Sequence, residues 1–465
     1  MSAARAILAK DVRELRRDGR ALLTLGRVLL LGIAALWLSA QRMRTAESAR
    51  LEAAARERQT WLNQGPANPH SVAHFSMYAF KPQTSLALFE PGLAPYMGEA
   101  IWLEAHYQDP ARFRAAEDAT EARRFADLSP AWLVAVALPL VVIALGFASL
   151  AREREQGLWR QLAAAGVSSR EVLRGKAGWL LAAAVGLAAL VSLPTLLVSA
   201  GLPVPGDAGA RWVLIGVALL LYAAALTGVT LAISAASRTT RGALLALLAF
   251  WMISVVLVPR LAGTAADAFA PVPPSLDFWT QVRKELREGS EERAKRLEAE
   301  TLRRFGVARV EDLLVSFAGI ELQASEEHGN AVFDKHFGAI RGAHARQQTL
   351  MRLAGLVSPA VAFRNATAAF AGTDAAHHWH FAGAAEAHRR AVVKALNDDM
   401  TAHARGQDFD YKADPRLWAA ISAFTYVQPS WTVSRGALVD LGVLALWVAA
   451  AAASAFAAVR RWRVA

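Results

Sequence analysis

The residues of this sequence that are best suited to chemistry are its histidines. Three of them, His377, His378 and His380, are almost adjacent, and on a helix His377 and His380 would lie on one side. Imidazole nitrogens bind divalent metals and titrate near neutral pH, so these residues are weak candidates for a metal site or a pH-sensing patch. The simpler interpretation is a solvated helical surface. No H-E-x-x-H or G-x-S-x-G motif accompanies them, which gives a hydrolase little support.

A second segment carries a charge pattern and a helix-capping signal. We call residues 152–176 the charged loop, in which Arg and Glu alternate before a Gly and Trp stretch. Ser168 with Glu171 three residues later forms a capping-box pattern, so a helix should break near Gly166 and restart at Ser168. We therefore expect a short, rigid helical elbow. Its candidate functional residues are Arg152, Glu153, Arg154, Glu155, Gln156, Gly157, Trp159, Gly166, Ser168 and Glu171.

The sequence has no phosphate-binding loop of the G-x-x-x-x-G-K-[ST] type, because Gly175-Lys176 is followed by Ala177. Cysteine is absent, which removes disulfides, thiolate metal ligands and cysteine nucleophiles. We therefore expect no cofactor on this chain.

The composition indicates a membrane protein. Of the 465 residues, 54% are hydrophobic and the mean hydropathy is +0.25, which is more apolar material than ordinary soluble cores of this size need. Charged residues still make up 20%. Apolar segments should therefore alternate with stretches that face water.

Six segments have the length and composition of a membrane-spanning helix, which needs roughly 20 mainly apolar residues. The predicted spans are residues 21–40, 130–151, 177–200, 212–236, 242–260 and 437–459. Two ionisable residues, Arg27 and Asp440, fall near span ends. We interpret both as interfacial.

The basic residues predict the orientation of these spans. With the N-terminus inside, the cytoplasmic pieces are residues 1–20, 152–176, 237–241 and 460–465. They hold 17 Lys and Arg against six Asp and Glu, and 17 minus 6 equals the net charge of +11 of the whole chain. Lys and Arg beside span ends are retained in the cytoplasm. The high pI is therefore a topology signal, and it does not indicate binding to nucleic acid.

Two large hydrophilic regions then lie outside. The first (residues 41–129) should begin with a helix through Arg50 to Trp61 and continue as irregular structure. The second (residues 261–436) should be mostly helical, and a short outer loop is expected at residues 201–211. Four helices are predicted in the second region. The first begins at Ser290 and ends at Gly306, and the second runs from Val310 to Leu356. The third begins at Ser358-Pro359, and the fourth begins at Thr373-Asp374 and continues past Leu396.

The charged loop resembles the coupling-helix region of type-2 ABC transporter permeases. The resemblance rests on the alternating Arg and Glu, Gln156-Gly157, Gly166-Val167-Ser168 and Gly175-Lys176. The stretch from Lys10 to Arg20 is similar to the interfacial elbow helix of that family. The subgroup with large insertions after spans one and five shares further passages, which are Asn68-Pro69-His70-Ser71, Tyr78-Ala79-Phe80-Lys81-Pro82, Leu103-Glu104-Ala105-His106 and Phe370-Ala371-Gly372-Thr373-Asp374.

The resemblance implies an all-α integral membrane protein with six transmembrane helices, an elbow helix at residues 1–20, a coupling helix and a mostly helical extracytoplasmic domain. It implies a permease subunit of an ATP-driven exporter in the bacterial inner membrane, with both termini cytoplasmic. ATP and Mg would bind to a partner ATP-binding subunit, on which the coupling helix docks. A second permease copy or paralogue would complete the membrane part.

Two other functions agree with the same sequence. One is an ABC-type mechanotransmitter that acts on a periplasmic partner, for instance in the maturation of a metalloenzyme. The other is a membrane-anchored sensor or scaffold, although the predicted cytoplasmic pieces of 25 residues or fewer leave no room for an output domain.

Overall fold

The computed structural model of the chain describes residues 2–17, 19–75, 77–115, 117, 128–199 and 202–462. Within these residues, six helices are long and apolar enough to cross a membrane. The all-α membrane fold predicted from the sequence is confirmed. Parts of five predicted segments lie outside the described residues: 1 and 18 in the elbow, 76, 116 and 118–127 in the first hydrophilic region, 200 at the end of span three, 201 in the short outer loop, and 463–465 in the tail.

The helices up to the end of span five alternate between membrane spans and short connecting elements. In chain order they are α1 (Ala3–Arg17), α2 (Gly19–Leu62), α3 (Pro69–His74), α4 (Ala94–Met97), α5 (Pro130–Gly146), α6 (Ala151–Glu155), α7 (Leu158–Ala164), α8 (Ser169–Ser192), α9 (Pro194–Val198), α10 (Ala208–Ala236), α11 (Thr240–Trp251) and α12 (Val258–Phe269).

The remaining helices form the second hydrophilic region and span six. They are α13 (Ser275–Arg287), α14 (Ser290–Phe305), α15 (Phe317–Ala354), α16 (Pro359–Ala371), α17 (Ala375–His403), α18 (Arg416–Ala420) and α19 (Ala437–Arg460). Spans one to six are α2, α5 with α6, α8 with α9, α10, α11 with α12, and α19.

Span one is longer than predicted. The sequence suggested a span at residues 21–40 and a separate helix through Arg50 to Trp61, but α2 is continuous over both. Residues 41–62 contain neither Gly nor Pro and are rich in Ala, Arg, Glu and Leu, which are strong helix formers. Nothing in that stretch can end the helix, so it continues past the predicted end of the span at residue 40.

Span five also extends past its predicted end at residue 260, because α12 continues to Phe269. Between α11 and α12 the chain forms a π-helix at Met252–Leu257. The Ser358 hydroxyl donates to the Ser254 carbonyl oxygen at 2.6 Å, which satisfies an acceptor inside the bulge. Side chains inserted into the helical ladder are a recognised cause of such irregularities.

Most helix starts in the second hydrophilic region follow the predicted capping residues. Helix α14 begins at Ser290, and Ser358 and Asp374 cap α16 and α17. The prediction that a helix begins at Val310 is wrong, because α15 begins only at Phe317. The Gly406 backbone N–H donates to the Val315 carbonyl oxygen at 3.1 Å, so a contact with a distant segment holds the preceding residues out of the helix.

The two hydrophilic regions fold together. Trp61 at the end of α2 is buried and donates its indole N–H to the Trp418 carbonyl oxygen of α18 at 2.8 Å. Arg58 donates to the Ile421 carbonyl oxygen, also at 2.8 Å. The first region adds an antiparallel pair of short strands, β1 (Tyr78–Phe80) and β2 (Ala100–Trp102).

Helix α16 belongs in sequence to the second hydrophilic region but packs against spans two, four and six. Its apolar residues belong to the main membrane core. Phe363 stacks on the ring of Tyr222 in span four at a centroid distance of 4.7 Å. The Tyr222 hydroxyl donates to the Ala135 carbonyl oxygen of span two at 2.8 Å. The hydrophilic regions are thus joined directly to the membrane helices.

Candidate functional site

The charged loop is a compact helical elbow, as predicted. Helix α6 ends at Glu155, and after Gln156 the chain turns at Gly157, which has a positive φ of 69°, into α7. Gly166 has a φ of 79° and breaks the chain again, and this left-handed conformation is strained for residues other than glycine. The capping box of Ser168 and Glu171 is formed in both directions. The loop therefore has two fixed corners around one short helix.

A buried ion cluster joins this loop to the elbow helix α1. The Lys176 ammonium in α8 lies 3.0 Å from Asp11 Oδ1 of α1 and 3.1 Å from Glu153 Oε1 of α6. All three residues are at most 8% exposed. One ammonium thus holds two carboxylates, and each of the three groups sits on a different helix. We call Asp11, Glu153 and Lys176 the buried triad.

Close backbone contact strengthens the same junction. Gly175 lies so near α1 that a Cβ atom there would stand 2.8 Å from the Ala4 carbonyl oxygen and 2.9 Å from Ile7 Cβ. Any larger residue at this position would push α1 away from α8. The elbow helix is therefore seated on span three by shape as well as by charge.

Glu155 and the start of α6 are tied to spans four and five. Glu155 accepts a hydrogen bond from the Thr240 backbone N–H at 2.9 Å and one from its hydroxyl. The Ser234 hydroxyl of span four accepts from the backbone N–H groups of Leu150 and Ala151, both at 3.1 Å. Both ends of α6 are therefore fixed by neighbouring spans.

Helix α7 is anchored through two indoles. Trp159 donates to the Trp462 carbonyl oxygen at 3.2 Å, and Trp462 donates to the Ala235 carbonyl oxygen at 3.0 Å. The two rings meet edge to face at 5.5 Å. Movement of α7 must therefore move the ends of spans four and six.

The predicted site residues divide into two sets. Glu153, Glu155 and Trp159 bind within the chain, and Ser168 and Glu171 cap one another. The second set consists of the exposed Arg152, Arg154, Gln156 and Gly166 and the half-buried Gly157, whereas Glu155 and Ser168 of the first set are exposed as well. The exposed surface of α7 also includes Gln161, Ala163 and Ala164. Sequence reasoning missed Asp11 and Lys176, whose only signal was a lysine at the head of an apolar span.

At the opposite ends of the spans, Arg211 joins span four to the second hydrophilic region. Its side chain is fully buried. It donates to Asp207 Oδ1 at 2.5 Å, to the Phe370 carbonyl oxygen at 3.0 Å and to the Pro429 carbonyl oxygen at 2.6 Å. The spacing of Asp207 and Arg211, four residues apart at a helix start, was a sequence signal for this pair.

Asp207 is held ionised by these contacts. Burial alone would raise the pKa of its carboxyl group, but hydrogen bonds from Arg211 and from the Trp431 backbone N–H outweigh that effect, and the pKa lies below its ordinary value. The carboxylate and guanidinium therefore form a persistent ion pair at neutral pH.

Two further ion pairs hold helices of the second hydrophilic region, one to the first hydrophilic region and one to span six. Glu90 is fully buried and accepts from Arg364 of α16 at 2.9 Å and 3.1 Å. Asp440 in the first turn of span six is buried and accepts from Arg352 of α15 at 3.3 Å. The interfacial interpretation of Asp440 is thus incomplete, because the residue lies at the span end but binds a neighbouring helix.

The three adjacent histidines do not converge on one point. His377 binds Asp374 through Nδ1 at 2.6 Å, while His380 lies 3.1 Å from the Tyr426 hydroxyl. Burial, together with the nearby positive charge of Lys81, lowers the pKa of His378 to about 3. His378 is therefore neutral at physiological pH, which argues against a pH-sensing patch. Among the described residues, the histidines that do converge are His70, His74 and His106.

A cavity of about 580 Å³ lies between spans two and five and helices α15 to α17. Its wall is apolar on the span side, where Trp132, Val136 and Val255 contribute, and polar on the other side, where Gln347 and Asn365 contribute. Its volume and mixed lining suit an amphipathic molecule.

Comparison with known protein families supports the transporter interpretation. Residues 108–278, which include spans two to five and the charged loop, match the family described as ABC-2 family transporter protein. Residues 275–427 match a domain of unknown function, DUF3526. No curated protein and no solved structure matches the chain. The match at residues 108–278 therefore supports an ABC-2 type permease, with the domain of unknown function between spans five and six.

Proposed function

We propose that this permease couples ATP hydrolysis by a separate ATP-binding subunit to export of a substrate across the bacterial inner membrane. The match of residues 108–278 to the ABC-2 family implies association with such a subunit. The observation that carries the proposal is the charged loop, a rigid short helix with an exposed face that is anchored to several spans. The family match does not favour the mechanotransmitter or the sensor and scaffold.

The proposal places ATP and Mg on the partner. The sequence contains no phosphate-binding loop, and the charged loop carries exposed arginines and a small apolar surface on α7. The role of this chain is then to receive movement and transmit it to the spans.

The contacts of α7 provide a path for that movement. Force applied to α7 reaches the ends of spans four and six through Trp159 and Trp462. At their other ends, spans four and six are joined to the second hydrophilic region through Arg211 and Asp440. A displacement of the loop can therefore reach the far side of the membrane through rigid helices.

The excess of Lys and Arg in the charged loop and in residues 1–20, 237–241 and 460–465 supports an orientation with that loop and both termini in the cytoplasm. The two large hydrophilic regions would then be periplasmic. In this orientation the mixed cavity beside spans two and five would open near the outer leaflet, where an amphipathic substrate could enter or leave.

A second membrane subunit, either another copy or a paralogue, would complete the transporter. Spans one, five and six are the least covered within the described residues, with 22%, 17% and 22% of their most apolar windows buried. Large apolar residues such as Leu30, Ile33 and Leu245 are exposed there. Such surfaces can face lipid or pack against a second subunit.

A bulky residue on the exposed face of α7 should block docking. We expect Ala164→Trp to reduce the amount of ATP-binding subunit that co-purifies with the chain by about tenfold or more, which corresponds to about 1.4 kcal/mol. Ala164 is exposed, so thermal stability should stay within about 0.5 kcal/mol of the unsubstituted chain. The measurement is pull-down of the tagged permease from detergent-solubilised membranes.

The matched control is Ala299→Trp, because Ala299 is an exposed alanine on α14 in the second hydrophilic region. This variant should retain the partner fully. Equal recovery of the ATP-binding subunit with both variants would contradict docking on α7.

A further inference from the structure

Three histidine rings meet at the surface of the first hydrophilic region. The centroid distances are 4.8 Å between His70 and His74, 5.0 Å between His70 and His106, and 5.1 Å between His74 and His106. One ring nitrogen from each lies within 4.8 Å of the others. The three residues come from two separate segments of the chain, so the grouping is a product of the fold.

The first segment is the short helix α3, which presents His70 and His74 one turn apart on the same face. Their Nε2 atoms are 3.2 Å apart. Asn68 caps this helix by accepting from the backbone N–H groups of His70 and Ser71. The Ala105 backbone N–H donates to the Ala73 carbonyl oxygen at 3.1 Å, which brings the second segment alongside.

His106 in the second segment is held in an unusual conformation. Its φ is 65°, a left-handed value that few residues other than glycine adopt. Backbone strain of this kind is often found at functional sites. Both its backbone N–H and its Nδ1 bind Glu326 Oε1, at 2.6 Å and 2.7 Å. Because Nδ1 donates to the carboxylate, Nε2 is left as the nitrogen with a free lone pair.

Glu326 is itself held in place by Arg389. It is 4% exposed and its Oε2 atom accepts from Arg389 at 3.2 Å. Arg389 in turn is bound by Glu386 at 2.8 Å and by Asn330. A carboxylate that holds the far nitrogen of a histidine is the arrangement that orients metal-binding imidazoles and raises their basicity.

We propose that His70, His74 and His106 bind a divalent transition metal ion of the zinc or copper type through their ring nitrogens, with Glu326 orienting His106. In a tetrahedral zinc site with Zn–N bonds of about 2.0–2.1 Å, ligand nitrogens lie about 3.3 Å apart. The Nε2 atoms of His70 and His74 already meet that spacing at 3.2 Å. Imidazole ligands favour zinc and copper over magnesium or calcium.

Three ligands leave one coordination position open. His74 is exposed and His70 and His106 are partly exposed, so water or a donor atom from another molecule can occupy that position. The site therefore suits reversible capture of an ion or of a metal-bearing ligand. It goes beyond the proposed transport function, because binding of the ion does not depend on the ATP-binding subunit.

Metal titration of the full-length protein in lipid nanodiscs tests this site. After removal of metals, Co²⁺ is added while the visible absorption of tetrahedral Co²⁺ is recorded, and Zn²⁺ is then added to displace it. We expect one Co²⁺ per chain, displaced by Zn²⁺. His74→Ala and His106→Ala should each weaken binding by about tenfold or more, and Glu326→Gln by about 10–100-fold.

The matched control is His403→Ala, which removes an exposed histidine at the end of α17 and should bind Co²⁺ as the unsubstituted chain does. His74 is exposed, so its loss should leave thermal unfolding unchanged and any loss of metal can be assigned to the ligand. Absence of a tetrahedral Co²⁺ spectrum, or equal binding by His74→Ala and the control, would overturn the proposal.

Discussion

Replacing Lys176 by methionine should release the elbow helix from span three and abolish transport. Methionine keeps most of the side-chain volume but removes the ammonium, so Asp11 and Glu153 are left as two buried carboxylates with no counter-ion. Breaking a buried ion pair by removing one partner costs about 3–5 kcal/mol. Here the cost falls on the junction of α1, α6 and α8.

The absence of native cysteine makes this junction easy to follow. Ile7 faces Gly175 across the contact between α1 and α8, so a single Ile7→Cys thiol reports whether α1 stays seated. A loss of about 3 kcal/mol in the closed state corresponds to roughly 100-fold faster labelling by a maleimide when labelling requires local opening.

The matched control is Lys10→Met, because Lys10 is exposed on the same helix and pairs with exposed Glu14. It should label at the rate of the parent Ile7→Cys protein. Labelling of the Lys176→Met variant at the rate of the parent Ile7→Cys protein would mean that the buried triad does not hold α1 against α8.

Replacing Arg211 by methionine should separate span four from the second hydrophilic region. The substitution leaves the Asp207 carboxylate and the Phe370 and Pro429 carbonyl oxygens without their donor. Unpaired buried acceptors and a broken ion pair together cost about 3–5 kcal/mol. We expect the melting temperature of the detergent-solubilised protein to fall by roughly 5–10 °C. Proteolysis between α18 and span six should also become faster.

Arg260→Met is the control, since Arg260 is exposed in the first turn of α12. It should unfold at the temperature of the unsubstituted chain. Arg211→Lys should be intermediate, because lysine keeps the charge beside Asp207 but cannot make the forked contacts of arginine. A melting temperature for Arg211→Met that equals the control would show that this joint does not stabilise the protein.

Local signals in the sequence predicted much of this fold. The apolar segments identified six spans, and the capping patterns at Ser168, Ser358 and Asp374 identified helix starts. These predictions succeed because the responsible contacts lie within one turn of helix. The break at Gly166 was predictable for the same reason.

The errors arise where distant segments decide the outcome. Helix α15 does not begin at Val310 because residues near Gly406 pair with the preceding segment. No local pattern in the sequence indicated that Glu153 binds Lys176 together with Asp11 of the N-terminal helix. The convergence of His70, His74 and His106 joins segments that the linear sequence does not place together. Periodicity and capping carry no information on such contacts.

Crosslinking from α7 tests the central claim most directly, which is that the charged loop docks on an ATP-binding subunit. Gln161 is exposed on α7, and Gln161→Cys would be the only thiol in this chain. It is labelled with a benzophenone maleimide in native membranes and irradiated, and the products are identified by mass spectrometry. Glu298→Cys on exposed α14 serves as the control.

The account predicts an adduct between the Gln161→Cys chain and a protein that carries a phosphate-binding loop, and no such adduct from Glu298→Cys. Absence of that adduct from Gln161→Cys, or its appearance only from Glu298→Cys, would contradict docking of the motor on this loop.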